Sequence, residues 1–350
     1  MLTHRIALVR ACFLLFAFCA GSLASAAAFT NGNLAVYRVG TGSAALTNAG
    51  TAVFIDEFTP AGALVQSIAM PTAVSGAQKQ LVAAGTATTE GLITRSADGQ
   101  CLWVPGYAAN VATATVGSTT SASTPRTVGR IATDGTVDTS TSLSDFFSAS
   151  SIRSAASDTC NAAWVSGGNG GVGYVTFGAS TLTSLVSNTV FNLRQVNVSN
   201  GQLYTSTASG TAGRVSAVGA GLPTTSGQVA TGLPGIPTTG LSNAFFFADL
   251  SSAVPGVDTL YLTEEGALAL TKYSLVGGTW VSNGTIGVAA DTYRGVTGVV
   301  SGSSVALYAT RKGSELVSLT DASGYNAAFT GTPTLLVSAG TNKAFRGVAL

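Results

Sequence analysis

Residues 293–319, YRGVTGVVSGSSVALYATRKGSELVSL, read as three short strands joined by two tight turns, and the pattern recurs along the chain. An aromatic or aliphatic residue and Arg lead an apolar strand. A polar turn follows, then a strand centred on Leu-Tyr or Trp with Ser or Thr within two residues. A Gly-rich turn leads to a third apolar strand. Residues 151–177 (SIRSAASDTCNAAWVSGGNGGVGYVTF) and 192–218 (NLRQVNVSNGQLYTSTASGTAGRVSAV) repeat it closely. Residues 245–275 keep it with Phe246 in the place of Arg, and residues 91–107 (GLITRSADGQCLWVPGY) keep it more loosely.

The sixth copy is divided between the two ends. AFRGVAL (344–350) supplies an opening strand, NLAVYRVG (33–40) a second, AVFIDEFT (52–59) a third and ALVQSIAM (63–70) a fourth. A circular array closes in this way, because a ring leaves few free strand edges. The expected fold is therefore all-β: a six-bladed β-propeller over residues 29–350, closed by pairing of the N- and C-terminal strands. Two alternatives stand beside it, a seventh blade within residues 108–150 and a β-solenoid. Units of roughly 40–65 residues suit four strands each better than the shorter coil of a solenoid.

The chain resembles a family of uncharacterised secreted bacterial β-propeller proteins. The resemblance rests on YRVGTGSAALTNAGTAVFIDEFT, NLRQVNVSNGQLYTSTASG, KYSLVGGTWVSNGTIG and YRGVTGVVSG. Individual blades also look like those of NHL- and lactonase-type propellers. It implies a propeller fold and no particular activity, so no catalytic residues are carried over.

The first residues point to export. Arg5 and Arg10 precede the apolar run ACFLLFAFCAGSL (11–23), and Ala24-Ser25-Ala26 offers a small-x-small cleavage pattern. The expected signal peptide spans residues 1–28, placing the mature chain outside the cell or in the periplasm. The run is shorter than the roughly 20 residues that span a bilayer, and no later run reaches that length.

Of 16 basic and 15 acidic residues, Arg5 and Arg10 leave with the signal, so 14 face 15. A nearly neutral chain with 9% charged residues carries no basic footprint for nucleic acid. The one histidine, His4, leaves too. That excludes imidazole bases, Ser-His-Asp triads and His-ligated metals from the mature chain. No cofactor is expected, although oxygen ligands for Ca²⁺ remain. Cys12 and Cys19 also leave, and the remaining Cys101 and Cys160 are expected to form a disulfide in an oxidising compartment.

Arg153, Arg194, Arg294 and Arg346 hold equivalent entry positions and are expected at one mouth of the central channel. Glu264 and Arg311 follow second strands and are placed on that face. The candidate site is a set of planar donors for a polar or anionic ligand, with Arg suited to bidentate recognition. The plainer reading is a repeated structural arginine bonding to neighbouring carbonyls. GNGGVG (168–173) lacks a following helix and Lys-Ser/Thr, and reads as a blade turn, not a phosphate loop. The expected function is a non-enzymatic binding or surface-scaffold propeller for a small polar molecule, glycan or peptide. The alternative is a metal-dependent hydrolase or lyase of lactonase or phytase type, working through carboxylates.

Overall fold

The structure is a computed structural model that describes residues 26–210, 212–265 and 269–350. The basic and apolar parts of the expected export signal lie outside the described residues. Within them the chain is all-β, with two single 3-10 turns at Val116–Ser118 and Ala289–Asp291.

Four antiparallel sheets of four strands follow one another, each in simple sequence order. They open with Ile152–Ala156, Leu193–Ser199, Ser242–Ala248 and Val296–Ser301. Short runs rich in Val, Leu, Tyr and Thr between Gly-rich turns give such meanders. GNGGVG is the hairpin between Ala162–Gly167 and Val172–Thr176, with Gly170 and Gly171 both at φ 79°.

A ten-stranded sheet holds the remaining strands. In one half Ala344–Ala349 pairs with Leu34–Val39, which pairs with Gly50–Phe58, which pairs with Leu64–Ala69. The expected pairing of the terminal strands is present, with Ala35 opposite Ala349 and Val39 opposite Ala344. The other half runs from Thr94–Arg95 through Cys101–Tyr107 to Arg126–Ala132. Val82–Ala84 joins the halves, pairing with Gly50–Phe58 and touching Tyr107. Residues 108–150 do not form a sheet of their own among the described residues. Their strands Arg126–Ala132, Val137–Asp138 and Ser142–Leu143 extend the Cys101–Tyr107 half instead.

The opening strands share a device that explains the Leu-Tyr-x-Ser/Thr signature. In four of them the ladder skips beside the entry residue, between Ile152 and Ser154, Leu193 and Val196, Ser242 and Phe245, and Phe345 and Val348. Such a bulge leaves backbone groups without ladder partners and re-aims a side chain. Buried hydroxyls on the second strand take up the loose groups. Thr263 Oγ1 accepts from Ala244 N at 2.8 Å and donates to the Arg294 carbonyl of the next sheet at 2.8 Å. Ser206 accepts from Gln195 N and donates to Asn243 O. Thr310 accepts from Gly295 N and donates to Arg346 O. Ser166 donates to Arg194 O at 2.8 Å. At the two remaining junctions the backbone takes this part: Gly347 N donates to Gly91 O and Leu92 N to Arg153 O.

These bonds align six entry positions: Arg346, Gly91, Arg153, Arg194, Asn243 and Arg294. The residue standing in the place of Arg in the Ser242 sheet is therefore Asn243, not Phe246. The same bulge is present here as in the Leu193 strand, but the turn to the second strand, between Ala248 and Thr259, is longer than in the other sheets, and Phe246 lies three residues further along the strand against Tyr261, ring centroids 6.5 Å apart. Gly91 is obligatory at its position, since its φ is +75° and a Cβ would lie 2.8 Å from the Tyr37 ring.

Elsewhere the sheets are fastened by rarer means. Cys101 and Cys160 form the expected disulfide, Cα atoms 5.9 Å apart, tying the Cys101–Tyr107 strand to the first turn of the Ile152 sheet. Lys272 and Asp321, both wholly buried, pair at 2.8 Å between the Ser242 and Val296 sheets. Tyr261 donates to the same Asp321 at 2.7 Å, and Lys272 also donates to Ser323 Oγ and Gly324 O.

Candidate anion-binding site

Four of the predicted site residues come together. Arg194, Arg294 and Arg346 are more than nine-tenths buried, at 7%, 8% and 3% exposure, and Arg153 is half-buried. Burial first, then neighbouring positive charge, pulls the pKa of three of them below the ordinary range. Arg194 presses on Arg153, and Arg294 on both Arg194 and Arg346. Arg294 is lowered by burial. The field of Glu265 opposes the drop at all four, so the four guanidiniums and this carboxylate form one electrostatic cluster.

The backbone explains the convergence. Each Arg stands at or just before the start of an opening strand, where its carbonyl is fixed by a hydroxyl of the neighbouring sheet or, for Arg153, by Leu92 N. Part of each guanidinium is spent on structure. Arg153 Nη1 donates to Asn192 Oδ1 at 2.7 Å and to Leu193 O at 2.9 Å, and its Nε to Ser151 Oγ. Arg194 Nη1 donates to the same Asn192 oxygen at 3.3 Å. Arg294 Nη1 donates to Thr88 O, and its Nη2 stands 3.1 Å from Glu265 Oε1. Arg346 Nη2 donates to Gly85 O at 2.8 Å.

The remainder is not spent. The buried Nε atoms of Arg194, Arg294 and Arg346 have no hydrogen-bond partner among the described residues, nor has Asn243 Oδ1. An unpaired buried donor on a charged group is costly, and native structures tolerate few of them. Arg126 and Arg214, held by carbonyls, carry the same unpartnered Nε, so what distinguishes the four arginines is their gathering and the Nη groups of Arg153, Arg194 and Arg346 that are free among the described residues.

A second carboxylate borders the cluster. Glu90 accepts from Tyr107 Oη at 2.6 Å and from Ala84 N at 3.1 Å. Burial raises its pKa, against the pull of those two bonds and of Arg346 and Arg153. Tyr107 lies beneath the fully buried Arg126, 5.2 Å from its guanidinium. Arg126 is bound to the carbonyls of Thr119, Thr124 and Ser150.

Two predicted residues stand elsewhere. Glu264 accepts from Ser242 Oγ at 3.2 Å and feels the charge of Arg214, not of the four arginines. Its neighbour Glu265 points the other way, as adjacent residues of an extended chain do, and it is the one that meets Arg294. Arg311 is consumed by Glu315 at 2.7 Å and Asp291 at 3.4 Å. Sequence reasoning missed Asn192, Glu90 and Arg126. A signal for Asn192 was present: like Ser151, it precedes its Arg by two residues and supplies an oxygen to it.

A separate cavity of about 240 Å³, lined by Phe29, Asn33, Arg95, Leu102, Ile131 and Thr133 among others, shares no residue with the cluster. Its Arg95 is occupied by Gly99 O. Among the described residues no three His, Cys, Asp or Glu side chains gather to hold a metal ion, and no helix is long and apolar enough to cross a membrane.

No protein-family model and no curated sequence matches the chain. Solved structures do. A nidogen/laminin complex aligns with a TM-score of 0.52 at 11% identity, covering 91% of this chain and 97% of the other. A protein assigned as a 6-phosphogluconolactonase, from Bacteroides fragilis, aligns at 0.53 and 11% identity, covering 87% and 83%. At this identity the likeness is one of fold, and the fold is a β-propeller.

Proposed function

We propose that this chain is a secreted propeller of six blades, closed into a ring, that binds the anionic group of a polar ligand at its arginine cluster. Six blades follow if the ten-stranded sheet is two blades fused through Val82–Ala84. Closure is supported by the pairing of Ala344–Ala349 with Leu34–Val39 and by the six inter-sheet bonds at the entry positions. Secretion rests on the signal-like N-terminus, together with a disulfide of the kind oxidising compartments sustain.

The observation that carries the binding reading is the gathering of four guanidiniums, two of them sharing one neutral Asn192 oxygen, with Nη2 of Arg153 and of Arg194 and Nη1 of Arg346 left without a partner among the described residues. Guanidiniums held out of water and only partly hydrogen-bonded are stabilised by an anion that completes them. Acidic glycans and acidic peptides have this chemistry. The hydrolase alternative needs several carboxylates around a cation, and Glu90 and Glu265 are here engaged with Tyr107 and Arg294.

Thermal unfolding against a panel of acidic oligosaccharides and acidic peptides, at constant ionic strength, tests the reading. A ligand at 100 times its Kd stabilises by about 2.7 kcal/mol, and Arg194→Gln or Arg346→Gln should abolish that gain. The exposed Arg95→Gln should leave it intact. Stabilisation that survives in all three variants, or no response to any anion, would reject the reading.

A further inference from the structure

Resting on that reading, we infer that the site takes a tetrahedral oxyanion carrying two charges, a phosphoryl or sulfate group, and that Arg153, Asn192 and Arg194 anchor it. Arg153 and Arg194 are adjacent cations, yet the atom they share is the neutral Oδ1 of Asn192. No carboxylate forms an ion pair with either among the described residues. Asn192 is held for this task in the left-handed region, at φ 51°, which Asn tolerates better than most residues. Its backbone is pinned by Gly168 O on one side and Ala208 N on the other.

Charge points to a dianion. Glu90 and Glu265 are the two carboxylates within the field of these arginines, and they face five guanidiniums: Arg126, Arg153, Arg194, Arg294 and Arg346. A single carboxylate would leave most of that excess uncompensated in a site sheltered from water, where screening is weak.

Shape points the same way. The free donors come from separate sheets. Nη2 of Arg153 and of Arg194 and Nη1 of Arg346 make no hydrogen bond among the described residues. A planar carboxylate is satisfied by one guanidinium fork, whereas a tetrahedral group presents oxygens to several at once.

Titration calorimetry with sodium sulfate, phosphate and acetate at pH 8 and fixed ionic strength decides the matter. One sulfate or phosphate per chain, bound at least tenfold more tightly than acetate, is expected. Acetate binding as well as both would overturn this inference while leaving an anion site in place. No binding by any of the three would overturn it too, and the acidic-ligand panel then judges the broader reading separately. A preference between sulfate and phosphate separates a sulfate ester from a phosphoryl source.

Asn192→Asp is the second arm. It puts a carboxylate where the two guanidiniums already meet, so sulfate affinity should fall at least tenfold while Tm rises. Unchanged sulfate affinity in this variant would remove the anchor. Arg153→Gln, expected to weaken sulfate by a similar factor, covers the case in which Asn192→Asp fails to fold.

Discussion

At the scale of single residues, two groups make the energetics testable. Lys272 and Asp321 are wholly buried and paired, and removing one partner of such a pair leaves an uncompensated charge in the interior. Lys272→Met should cost about 3–5 kcal/mol, read from urea denaturation midpoints. Glu90 is the pH-sensitive residue. Its folded pKa is raised by burial, so the folded chain holds this proton to a higher pH than the unfolded chain does. The stabilising contribution is complete below the ordinary carboxylate range and is lost as pH rises through the raised value. Tyr107 and Tyr37, and the cations Arg346, Arg153 and Arg126, face it. Protonating Glu90 leaves the cluster more positive, so sulfate affinity should rise as pH falls through that window. Sulfate itself does not titrate there. Glu90→Gln should flatten the rise; an unchanged slope would place the titrating group elsewhere.

At the scale of strands, the sequence and the structure agree where a pattern carries one physical cause. The Ser or Thr two residues after Tyr204, Tyr261, Tyr308 and Trp164 was visible as a repeat before its purpose was known. Its purpose is to serve a bulge and the next sheet together. Thr310→Val keeps the shape and strands both Gly295 N and Arg346 O, so a loss of about 1–3 kcal/mol is expected, again by urea denaturation. The Ser242 sheet is where the pattern misleads: its first turn, between Ala248 and Thr259, is longer than the others, and the FFF run at 245–247 offers an aromatic lead three residues past Asn243. The disulfide was legible because consecutive units placed both cysteines at like turns. By the chain-entropy model its loop of 59 positions gives roughly 4 kcal/mol. The double variant Cys101→Ser/Cys160→Ser should approach that loss, and a change under about 1 kcal/mol would show that the unfolded chain is scarcely constrained by the bond.

At the scale of the molecule, the fold was legible because repetition multiplies weak signals, and the split repeat located the pairing of the ends. The site was half legible. Four arginines recur with the blade and so appear in the sequence. Glu90 lies outside the repeated pattern, and the choice of Glu265 over Glu264 depends on which face of the strand each residue takes. Fusion of two meanders through Val82–Ala84 was not legible, since three residues carry no usable period. Removal of residues 344–350 should reopen the sheet beside Leu34–Val39 and expose an edge. The expected outcome is a large fall in Tm with concentration-dependent aggregation by light scattering, and a monodisperse truncated chain of unchanged Tm would contradict it.

The pairing of Leu34–Val39 with Ala344–Ala349 also has a direction. Ala35 lies opposite Ala349, so the two strands leave the sheet side by side at the same end. A force applied through Asn33 and Leu350 would therefore load the ladder one hydrogen bond at a time, as a zipper, rather than shearing all of them together. Held by both ends under tension, the propeller would part at this seam first; held by one end, it would keep the seam out of the line of force.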